Sequence, residues 1–184
     1  MKRYDVLEEI TKSLNDELVI CNLGIPAKEL FNIKDRNENF YMTGSMGLVS
    51  SIALGVAISR PEKNVWCIDG DGSILMNLGS LTTIGNQDPK NLTLIIIDNG
   101  AYGSTGNQKT HTSKKTRLEV IAQGAGFESI SVINKKDDII PNLNQLSSGC
   151  HFVLIKAEPG NAKVENISLS PKEIKKRFIA SIKK

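Results

Sequence analysis

The strongest chemical signal in the sequence is a short apolar run, residues 65–68, that leads towards Gly70-Asp71-Gly72-Ser73. Glycines on both sides of an aspartate let the backbone turn sharply and approach a ligand closely. The start of a following helix offers unpaired N–H groups, which bind anions. The segment is therefore suited to hold a phosphate together with a metal ion, although an ordinary turn between a strand and a helix uses the same residue types.

Two common nucleotide-binding motifs are excluded at this segment. The chain has no Gly-x-x-x-x-Gly-Lys-[Ser/Thr] sequence, so it carries no P-loop. After Gly70 and Gly72, the position of the third glycine in a dinucleotide-binding finger is occupied by Leu75.

A second candidate segment, Asp98-Asn99-Gly100, follows the next predicted strand, residues 92–97. In a right-handed βαβ unit the carboxyl ends of both parallel strands lie at one edge of the sheet, so we expect Asp71 and Asn99 to meet there. Carboxylate, amide and main-chain carbonyl oxygens are hard ligands that suit Mg²⁺, with phosphate and water completing its shell. The two segments together predict a metal–diphosphate anchor, and the alternative is a plain Asp-Asn-Gly turn.

The combined pattern resembles the signature of thiamin-diphosphate enzymes, in which Gly-Asp-Gly is followed after some two dozen residues by Asn-Asn. Here 25 residues lie between the two segments, and Asp98 stands where the first Asn is usual. The resemblance implies that Asp71 and Asn99 bind Mg²⁺ through their side chains and Ala101 through its carbonyl. It also implies that Ser73 donates a hydrogen bond to the diphosphate.

Upstream, Thr43-Gly44-Ser45-Met46-Gly47 resembles the loop that holds the aminopyrimidine end of thiamin diphosphate. By this likeness the Gly44 carbonyl accepts a hydrogen bond from the 4′-amino group, and Met46 is an apolar wedge under the bent cofactor. A polarisable Met suits that role, and the alternative is a core Met at a helix start. The cofactor-binding residues that the resemblance implies are Gly44, Ser45, Met46, Gly70, Asp71, Gly72, Ser73, Asn99, Ala101 and Tyr102.

Within this superfamily the chain most resembles the sulfopyruvate and phosphonopyruvate decarboxylases. The segments that carry this resemblance are residues 44–47, 52–55, 69–79 and 102–108. The resemblance implies a lyase that decarboxylates a 2-oxo acid, most closely the β-subunit type that converts sulfopyruvate to sulfoacetaldehyde and CO₂ for coenzyme M biosynthesis. Phosphonopyruvate decarboxylases commonly hold both domains in one chain, so a chain of this length favours sulfopyruvate.

The resemblance covers only the diphosphate-binding half of the usual active site. Thiamin-diphosphate enzymes add a pyrimidine-binding domain, whose glutamate protonates the ring nitrogen N1′. We expect one diphosphate-binding domain over residues 1–184 and a pyrimidine-binding domain on a partner α subunit, in an obligate hetero-oligomer. The catalytic glutamate is therefore expected on that partner chain.

The segment after the metal loop is the candidate pocket for the second anion of the substrate. Its polar residues are Thr105, Asn107, Gln108, Lys109 and His111. We hypothesise that Lys109 or His111 contacts the sulfonate or relays protons, since a His changes charge near neutral pH. The alternative is a solvated loop. His151, at the head of an apolar run, is interpreted as a structural histidine.

Three other functions remain as alternatives. The thiamin-binding β subunit of a 2-oxoacid:ferredoxin oxidoreductase has a similar Thr-Gly-x-Gln segment, but this chain has no cysteine cluster for iron–sulfur binding. A carboligase resembling acetolactate synthase usually holds both domains in one chain. A binding or scaffold module without catalysis would not need the complete metal site.

The elements that must position these residues alternate between short apolar runs and longer segments of helical period, which predicts an α/β domain with a mostly parallel sheet. The resemblance implies the same architecture, a three-layer αβα sandwich. The predicted strands are Leu18 to Cys21, Val65 to Ile68, Leu92 to Ile97, Ile130 to Ile133 and Phe152 to Ile155. The predicted helices are Val6 to Asn15, Leu48 to Ser59, Ile74 to Gly85, Arg117 to Gly124, Asp137 to Leu146 and Pro171 to Ile182.

Length and composition exclude several other classes of protein. The 184 residues, 40% of them apolar, suffice for one buried core. The net charge of +3 is spread along the chain, which argues against nucleic-acid binding. Three scattered cysteines and an acidic N-terminal segment favour the cytoplasm over secretion. The uncharged residues 39–59 contain too many glycines and serines for a membrane helix, so we expect a loop and a buried helix.

Overall fold

Six of the strands form one parallel sheet in the computed structural model, which describes residues 1–183. These strands are β1 Leu18–Cys21, β2 Asn39–Tyr41, β3 Val65–Gly70, β4 Asn91–Asp98, β7 Ser129–Ile133 and β8 Gly149–Lys156. The order across the sheet is β2-β1-β3-β4-β8-β7, and each neighbouring pair is parallel. The short strands β5 Ala101–Tyr102 and β6 Gln108–Lys109 pair separately as an antiparallel hairpin.

The helices lie along the chain between these strands. They are α1 Arg3–Lys12, α2 Ile25–Lys34, α3 Val49–Ser59, α4 Asp71–Ile74, α5 Gly79–Gln87, α6 Leu118–Gly124, α7 Ile139–Asn144 and α8 Pro171–Ile182. Short 3₁₀ turns cover Leu75–Asn77, His111–Ser113 and Lys136–Asp138.

The strand β4 shows why the fold has three layers. Leu94 and Ile96 point into a core that contains residues of α3, α5 and α6, whereas Ile95 and Ile97 point into a core that contains residues of α1, α2 and α7. A strand that is apolar on both faces must be covered on both faces. The predicted αβα sandwich and the central position of this strand are therefore confirmed.

Every predicted strand is present, but α2, β2, β5 and β6 were not predicted. Strand β2 lies at the start of residues 39–59, where a loop was expected, and no element was predicted for the residues of α2. The helix predicted from Ile74 to Gly85 is instead broken into α4, a 3₁₀ turn and α5. The break lies beside Gly79, a residue that weakens helices, and the Asn77 amide there donates to the Gly47 carbonyl (3.2 Å).

The boundary predicted most strongly, the start of α8, is confirmed. The Ser170 hydroxyl accepts the Glu173 N–H (3.3 Å), while the Glu173 carboxylate accepts the Ser170 N–H (2.8 Å). This reciprocal pair is a capping box, and Pro171 occupies the first helical position.

The uncharged segment and the cysteines are the two remaining features for which the sequence made a prediction. The uncharged residues 39–59 fold as β2, a loop and α3, and none of the described helices is long and apolar enough to cross a membrane. The three cysteines, Cys21, Cys67 and Cys150, are buried and unpaired.

Candidate functional site

The candidate site lies at the edge where β3 and β4 end side by side. Their parallel register pairs Gly70 with Ile97, which brings the residues that follow the two strands close together. The Asn99 N–H donates to Asp71 Oδ1 at 3.4 Å, and both residues are buried. The predicted meeting of Asp71 and Asn99 is confirmed, whereas their roles as metal ligands stay predictions.

A cavity of about 100 Å³ opens beside this contact. Of the predicted cofactor-binding residues, all except Gly44 and Ser45 line it. These two residues are exposed, and Ser45 has a positive φ of 62°, an uncommon conformation for a residue with a side chain. The Gly47 N–H, just after them, donates to Ser73 Oγ at 3.1 Å, so the pyrimidine-loop segment is tied directly to the diphosphate segment.

The carboxylate of Asp71 is held by hydroxyl groups from the chain that follows the β5–β6 hairpin. Thr110 Oγ1 donates to Asp71 Oδ2 at 2.6 Å, and Thr112 Oγ1 lies 3.0 Å from the same oxygen. Burial raises the pKa of Asp71, the hydrogen bond from Thr110 opposes this, and the negative charge of Asp98 adds to it. Within the described residues no lysine or arginine pairs with this carboxylate, so a buried negative charge faces the site.

Asp98 has a cationic partner instead. The β4–β8 register places Lys156 directly beside it, with Lys156 Nζ at 2.6 Å from Asp98 Oδ2. Thr112 Oγ1 lies 2.7 Å from the other oxygen of Asp98. Asp98, which stands where the thiamin-diphosphate signature usually has Asn, is therefore neutralised by its ion pair with Lys156. Thr112 contacts the carboxylates of both Asp71 and Asp98.

The donor set suits a small hard cation bound together with a phosphate. Among residues 1–183 no group of three His, Cys, Asp or Glu side chains could hold a metal alone. Asp71 offers a carboxylate, and Asn99 and Ala101 lie within the same lining. Mg²⁺ commonly takes one or two carboxylates and completes its shell with phosphate oxygens and water. This side of the site therefore fits a Mg–diphosphate group.

Gly72 is fixed by the aromatic ring that packs against it. A Cβ atom placed on Gly72 would lie 2.4 Å from Tyr102 Cε1, which is far inside van der Waals contact. Only glycine lets the ring of Tyr102 lie against the backbone here. The predicted site residues Gly72 and Tyr102 thus form one wall of the cavity.

Asp69 lies beneath the loop and is fully buried. Its Oδ1 atom accepts the Gly70 N–H at 2.8 Å, and its Oδ2 atom has no partner among the described residues. Burial raises the pKa of Asp69 to about 7, and the hydrogen bond from the Gly70 N–H opposes that shift.

The predicted substrate residues lie on and after the β5–β6 hairpin, at the surface. Thr105 Oγ1 donates to Gln108 Oε1 at 2.8 Å, so these two side chains bind each other. Lys109 lines a neighbouring cavity of about 350 Å³ together with Lys156. Exposed His111 lines neither of these two cavities. Lys109 therefore lines a cavity next to the metal loop, whereas the side chain of His111 lines neither cavity, although its neighbours Thr110 and Thr112 contact Asp71.

Sequence reasoning missed part of the cavity wall. Residues 22–26, which follow β1, line the cavity because β1 pairs with β3 and ends at the same edge. The available signals were Gly24, with φ of 78°, and Pro26 in the first turn of α2. Arg3 also lines the cavity, where Glu29 holds its guanidinium by two contacts of 2.7 and 3.1 Å. No local pattern in the sequence indicated Arg3.

His151 lies at the opposite edge of the sheet, where β8 begins. Its Nδ1 atom is 2.7 Å from Ser129 Oγ, and its Nε2 atom is 2.8 Å from the Ser147 carbonyl oxygen. Both ring nitrogens are therefore occupied, as expected for a structural histidine.

Comparisons with known proteins agree with this geometry. The family model described as thiamine pyrophosphate enzyme, C-terminal TPP binding domain, matches residues 23–157. The sulfopyruvate decarboxylase subunit beta of Methanocaldococcus jannaschii is 50% identical over 100% of this chain and 98% of that protein. A sulfopyruvate decarboxylase of Methanosarcina acetivorans is 44% identical over 97% of this chain but only 46% of its own length.

More distant proteins share the domain. A phosphonopyruvate decarboxylase of Streptomyces viridochromogenes is 34% identical over 98% of this chain and 46% of that protein. Among solved structures, the 2-oxoglutarate:ferredoxin oxidoreductase of Magnetococcus marinus superposes with a TM-score of 0.70, covering 90% of this chain and 64% of that chain at 16% identity. The last likeness concerns the fold alone.

Proposed function

Because the chain belongs to the family of thiamine pyrophosphate enzymes, whose C-terminal TPP binding domain it contains, we propose that it is the β subunit of a sulfopyruvate decarboxylase. The reaction is the release of CO₂ from sulfopyruvate to give sulfoacetaldehyde, a carboxy-lyase step in coenzyme M biosynthesis. The observation that carries the proposal is the 50% identity over the whole chain to a protein of that name.

The metal–diphosphate end of the cofactor lies at the carboxyl ends of β3 and β4 in this proposal. Asp71, Asn99 and the Ala101 carbonyl would hold Mg²⁺, and the Ser73 hydroxyl would contact the diphosphate. The buried, unpaired carboxylate of Asp71 supports this assignment, since a cation beside it would remove an uncompensated charge. Thr110 and Thr112 position that carboxylate.

When bound, thiamin diphosphate supplies a carbanion that attacks the substrate ketone and a ring that accepts the electrons released with CO₂. The chain's own residues bind and orient the cofactor. Met46 would support the cofactor, the Gly44 carbonyl would accept a hydrogen bond from its amino group, and Gly72 and Tyr102 would form the wall beside it. This chain contributes the diphosphate half of the site.

The anionic group of the substrate distinguishes sulfopyruvate from pyruvate. Lys109 supports a sulfonate contact from this chain, because it lines a cavity that Asn99 and Ala101 also line and because Asp98, in the same lining, is already paired with Lys156. His111 lines neither cavity, and its role as a proton relay stays a prediction.

The proposal includes a partner subunit. The cavity at the candidate site is small, about 100 Å³, and half of the ligand-binding surface would come from a pyrimidine-binding α subunit that also carries the catalytic glutamate. The Methanosarcina acetivorans relative, about twice as long as the matched segment, supports this arrangement, since its remaining length has room for the second domain. The unpaired cysteines support a reducing, cytoplasmic location.

The decisive experiment is reconstitution. This chain is co-expressed with its candidate α subunit, supplied with thiamin diphosphate and Mg²⁺ without oxygen, and CO₂ release is followed from sulfopyruvate, phosphonopyruvate and pyruvate. We expect a preference for sulfopyruvate and no turnover by either chain alone. A preference for phosphonopyruvate would mean that phosphonopyruvate, and not sulfopyruvate, is the substrate. Reduction of a ferredoxin in the presence of coenzyme A would mean that the enzyme is an oxidoreductase and not a decarboxylase.

A Lys109→Met variant tests the substrate contact in the same assay, with Lys115→Met as the matched exposed control. We expect Lys109→Met to raise the KM for sulfopyruvate about tenfold, since a charge-assisted hydrogen bond is lost, while thiamin diphosphate affinity stays the same. An unchanged KM would place the sulfonate pocket on the partner chain.

A further inference from the structure

A second and larger cavity opens at the other edge of the sheet, where the strands begin. Its volume is about 570 Å³, within the size range of small-molecule sites. The sheet register aligns Trp66, Thr93 and His151 across β3, β4 and β8, and all three side chains line this cavity. None of the predicted cofactor or substrate residues lies there.

The cavity wall contains polar groups that the described chain leaves without partners. Ser13, at the end of α1, is 8% exposed, and its hydroxyl has no hydrogen-bond partner. Thr93 and Trp66 are similarly buried, and neither side chain forms a hydrogen bond within residues 1–183. Buried polar groups are almost always satisfied in folded proteins, so the unpartnered hydroxyl of Ser13 indicates a missing ligand or ordered solvent.

Glu17 gives the cavity its charge. The residue is 8% exposed, and its carboxylate accepts only the Asn15 N–H (2.7 Å). The nearby Arg36 donates instead to the main-chain carbonyl of Glu17 (2.7 Å) and pairs with Glu38 (3.6 Å). No cation therefore neutralises this carboxylate within the described residues.

Lys90 also lines the cavity, but its ammonium group is bound to Asp88 at the surface. His151 is committed to Ser129 and Ser147 through both ring nitrogens. The groups left to receive a ligand include the Glu17 carboxylate, the indole ring of Trp66, and the hydroxyl and amide groups of Ser13, Thr93, Ser147, Asn15, Asn64 and Asn144. Glu17 is the only acidic side chain in this lining, so its charge favours a cationic ligand over an anionic one.

We propose that this cavity binds an organic ammonium group, with Glu17 as its counter-ion. An ammonium group forms charge-assisted hydrogen bonds with a carboxylate and uses hydroxyl oxygens as further acceptors. An indole ring attracts the same cation through its face. Ser13 and Thr93 supply the hydroxyl oxygens, and a bound cation neutralises a buried carboxylate that has no cationic partner within the described residues.

The test uses the full chain and a pair of ligands that differ in charge. Trp66 is the only tryptophan of the chain, so its fluorescence reports directly on this cavity. Putrescine is titrated against 1,4-butanediol, which has the same length but no charge. We expect a saturable fluorescence change with putrescine, with Kd of about 1 mM or tighter, and none with the diol. Non-specific attraction is small, since the chain itself has a net charge of +3.

Matched variants assign the site. Glu17→Gln keeps the acceptor for the Asn15 N–H but removes the charge, and we expect it to weaken putrescine binding at least about tenfold. The control is Glu165→Gln, an exposed residue outside the cavity, which leaves binding unchanged. If Glu17→Gln fails to fold, Ser13→Ala takes its place and weakens binding about threefold to tenfold.

Putrescine binding to the isolated chain and to the assembled enzyme is compared in order to distinguish two sources of the ammonium group. If free amines are the ligand, putrescine binds both the isolated chain and the assembly. If a lysine side chain of the partner subunit is the ligand, putrescine binds the isolated chain alone. Equal binding of putrescine and the diol, equal affinity for Glu17→Gln and the unaltered chain, or no binding in either form would overturn the proposal.

Discussion

The two edges of the parallel sheet both collect buried polar groups, but they satisfy them differently. At the carboxyl edge, the carboxylate of Asp71 is held by Thr110 and Thr112, and that of Asp98 is paired with Lys156. At the amino edge, the hydroxyl of Ser13 has no partner, and Glu17 has no cation. The carboxylates of Asp71 and Asp98 are thus held by other side chains, although Asp69 Oδ2 beneath them has no partner, whereas the carboxylate of Glu17 accepts only one main-chain N–H.

This difference supports the choice of the carboxyl edge as the proposed site. The cavity at the amino edge is the larger one, about 570 Å³ against about 100 Å³, so volume alone would not select the carboxyl edge. Groups that act in catalysis must be held in place before the ligand arrives. The bonded carboxylates at the carboxyl edge meet that condition, which agrees with the general location of ligand sites at the carboxyl ends of parallel strands.

The largest effect is expected for Asp71→Asn. This change keeps the shape of the side chain but removes the charge that faces the metal, so affinity for thiamin diphosphate with Mg²⁺ should fall at least about 100-fold. The free energy of unfolding should stay the same or rise, because a buried and unneutralised carboxylate is removed. Calorimetric titration and urea unfolding measure the two quantities. Retained cofactor affinity would contradict the assignment of this edge.

The next largest effect is expected for Gly72→Ala. The new Cβ atom would lie 2.4 Å from the ring of Tyr102, so the wall of the site must move. We expect the free energy of unfolding to fall by about 1–3 kcal/mol, with weaker cofactor binding. In the control Gly55→Ala, on the exposed side of α3, nothing lies within 4 Å of the new atom, and stability should rise by about 0.8–1 kcal/mol. Equal effects of the two substitutions would show that the wall is not tightly packed.

A smaller effect is expected for Lys156→Met. Asp98 is 4% exposed and would lose its cationic partner, although the Lys156 side chain is itself 39% exposed and solvent screens the pair. We expect a loss of about 1 kcal/mol in the free energy of unfolding. The double substitution Asp98→Asn with Lys156→Met should recover most of it, because no unpaired charge remains. A double variant as unstable as Lys156→Met alone would show that the loss of stability does not come from the unpaired charge of Asp98.

The Asp98–Lys156 pair also shows where sequence reasoning reaches its limit. The meeting of Asp71 and Asn99 could be predicted, because consecutive strands of a βαβ unit end at one edge. Lys156 is 58 residues away from Asp98, and its place depends on β8 lying next to β4 in the sheet order. Nothing local in the sequence determines that order.

Helix α2 was missed for a different reason. Its start carried usable signals, Gly24 followed by Pro26, but only a few residues of the segment are apolar and buried. The edge strand β2 is three residues long and too short for a period to be read. Both elements depend on tertiary packing, and the cavity wall at residues 22–26 was missed with them.

The smallest effect on the free energy of unfolding is expected for a substitution at the amino edge. Ser13→Ala removes a buried hydroxyl that has no partner, so we expect the free energy of unfolding to rise by up to about 1 kcal/mol. The matched change at the carboxyl edge, Ser73→Ala, removes the acceptor of the Gly47 N–H and should lower it by about 1 kcal/mol. Urea unfolding of the two variants in one buffer gives the sign of each change directly. Opposite signs mean that the hydroxyl of Ser73 is satisfied within the fold and that of Ser13 is not, whereas a loss at both would show that Ser13 already has a partner in solution, such as an ordered water.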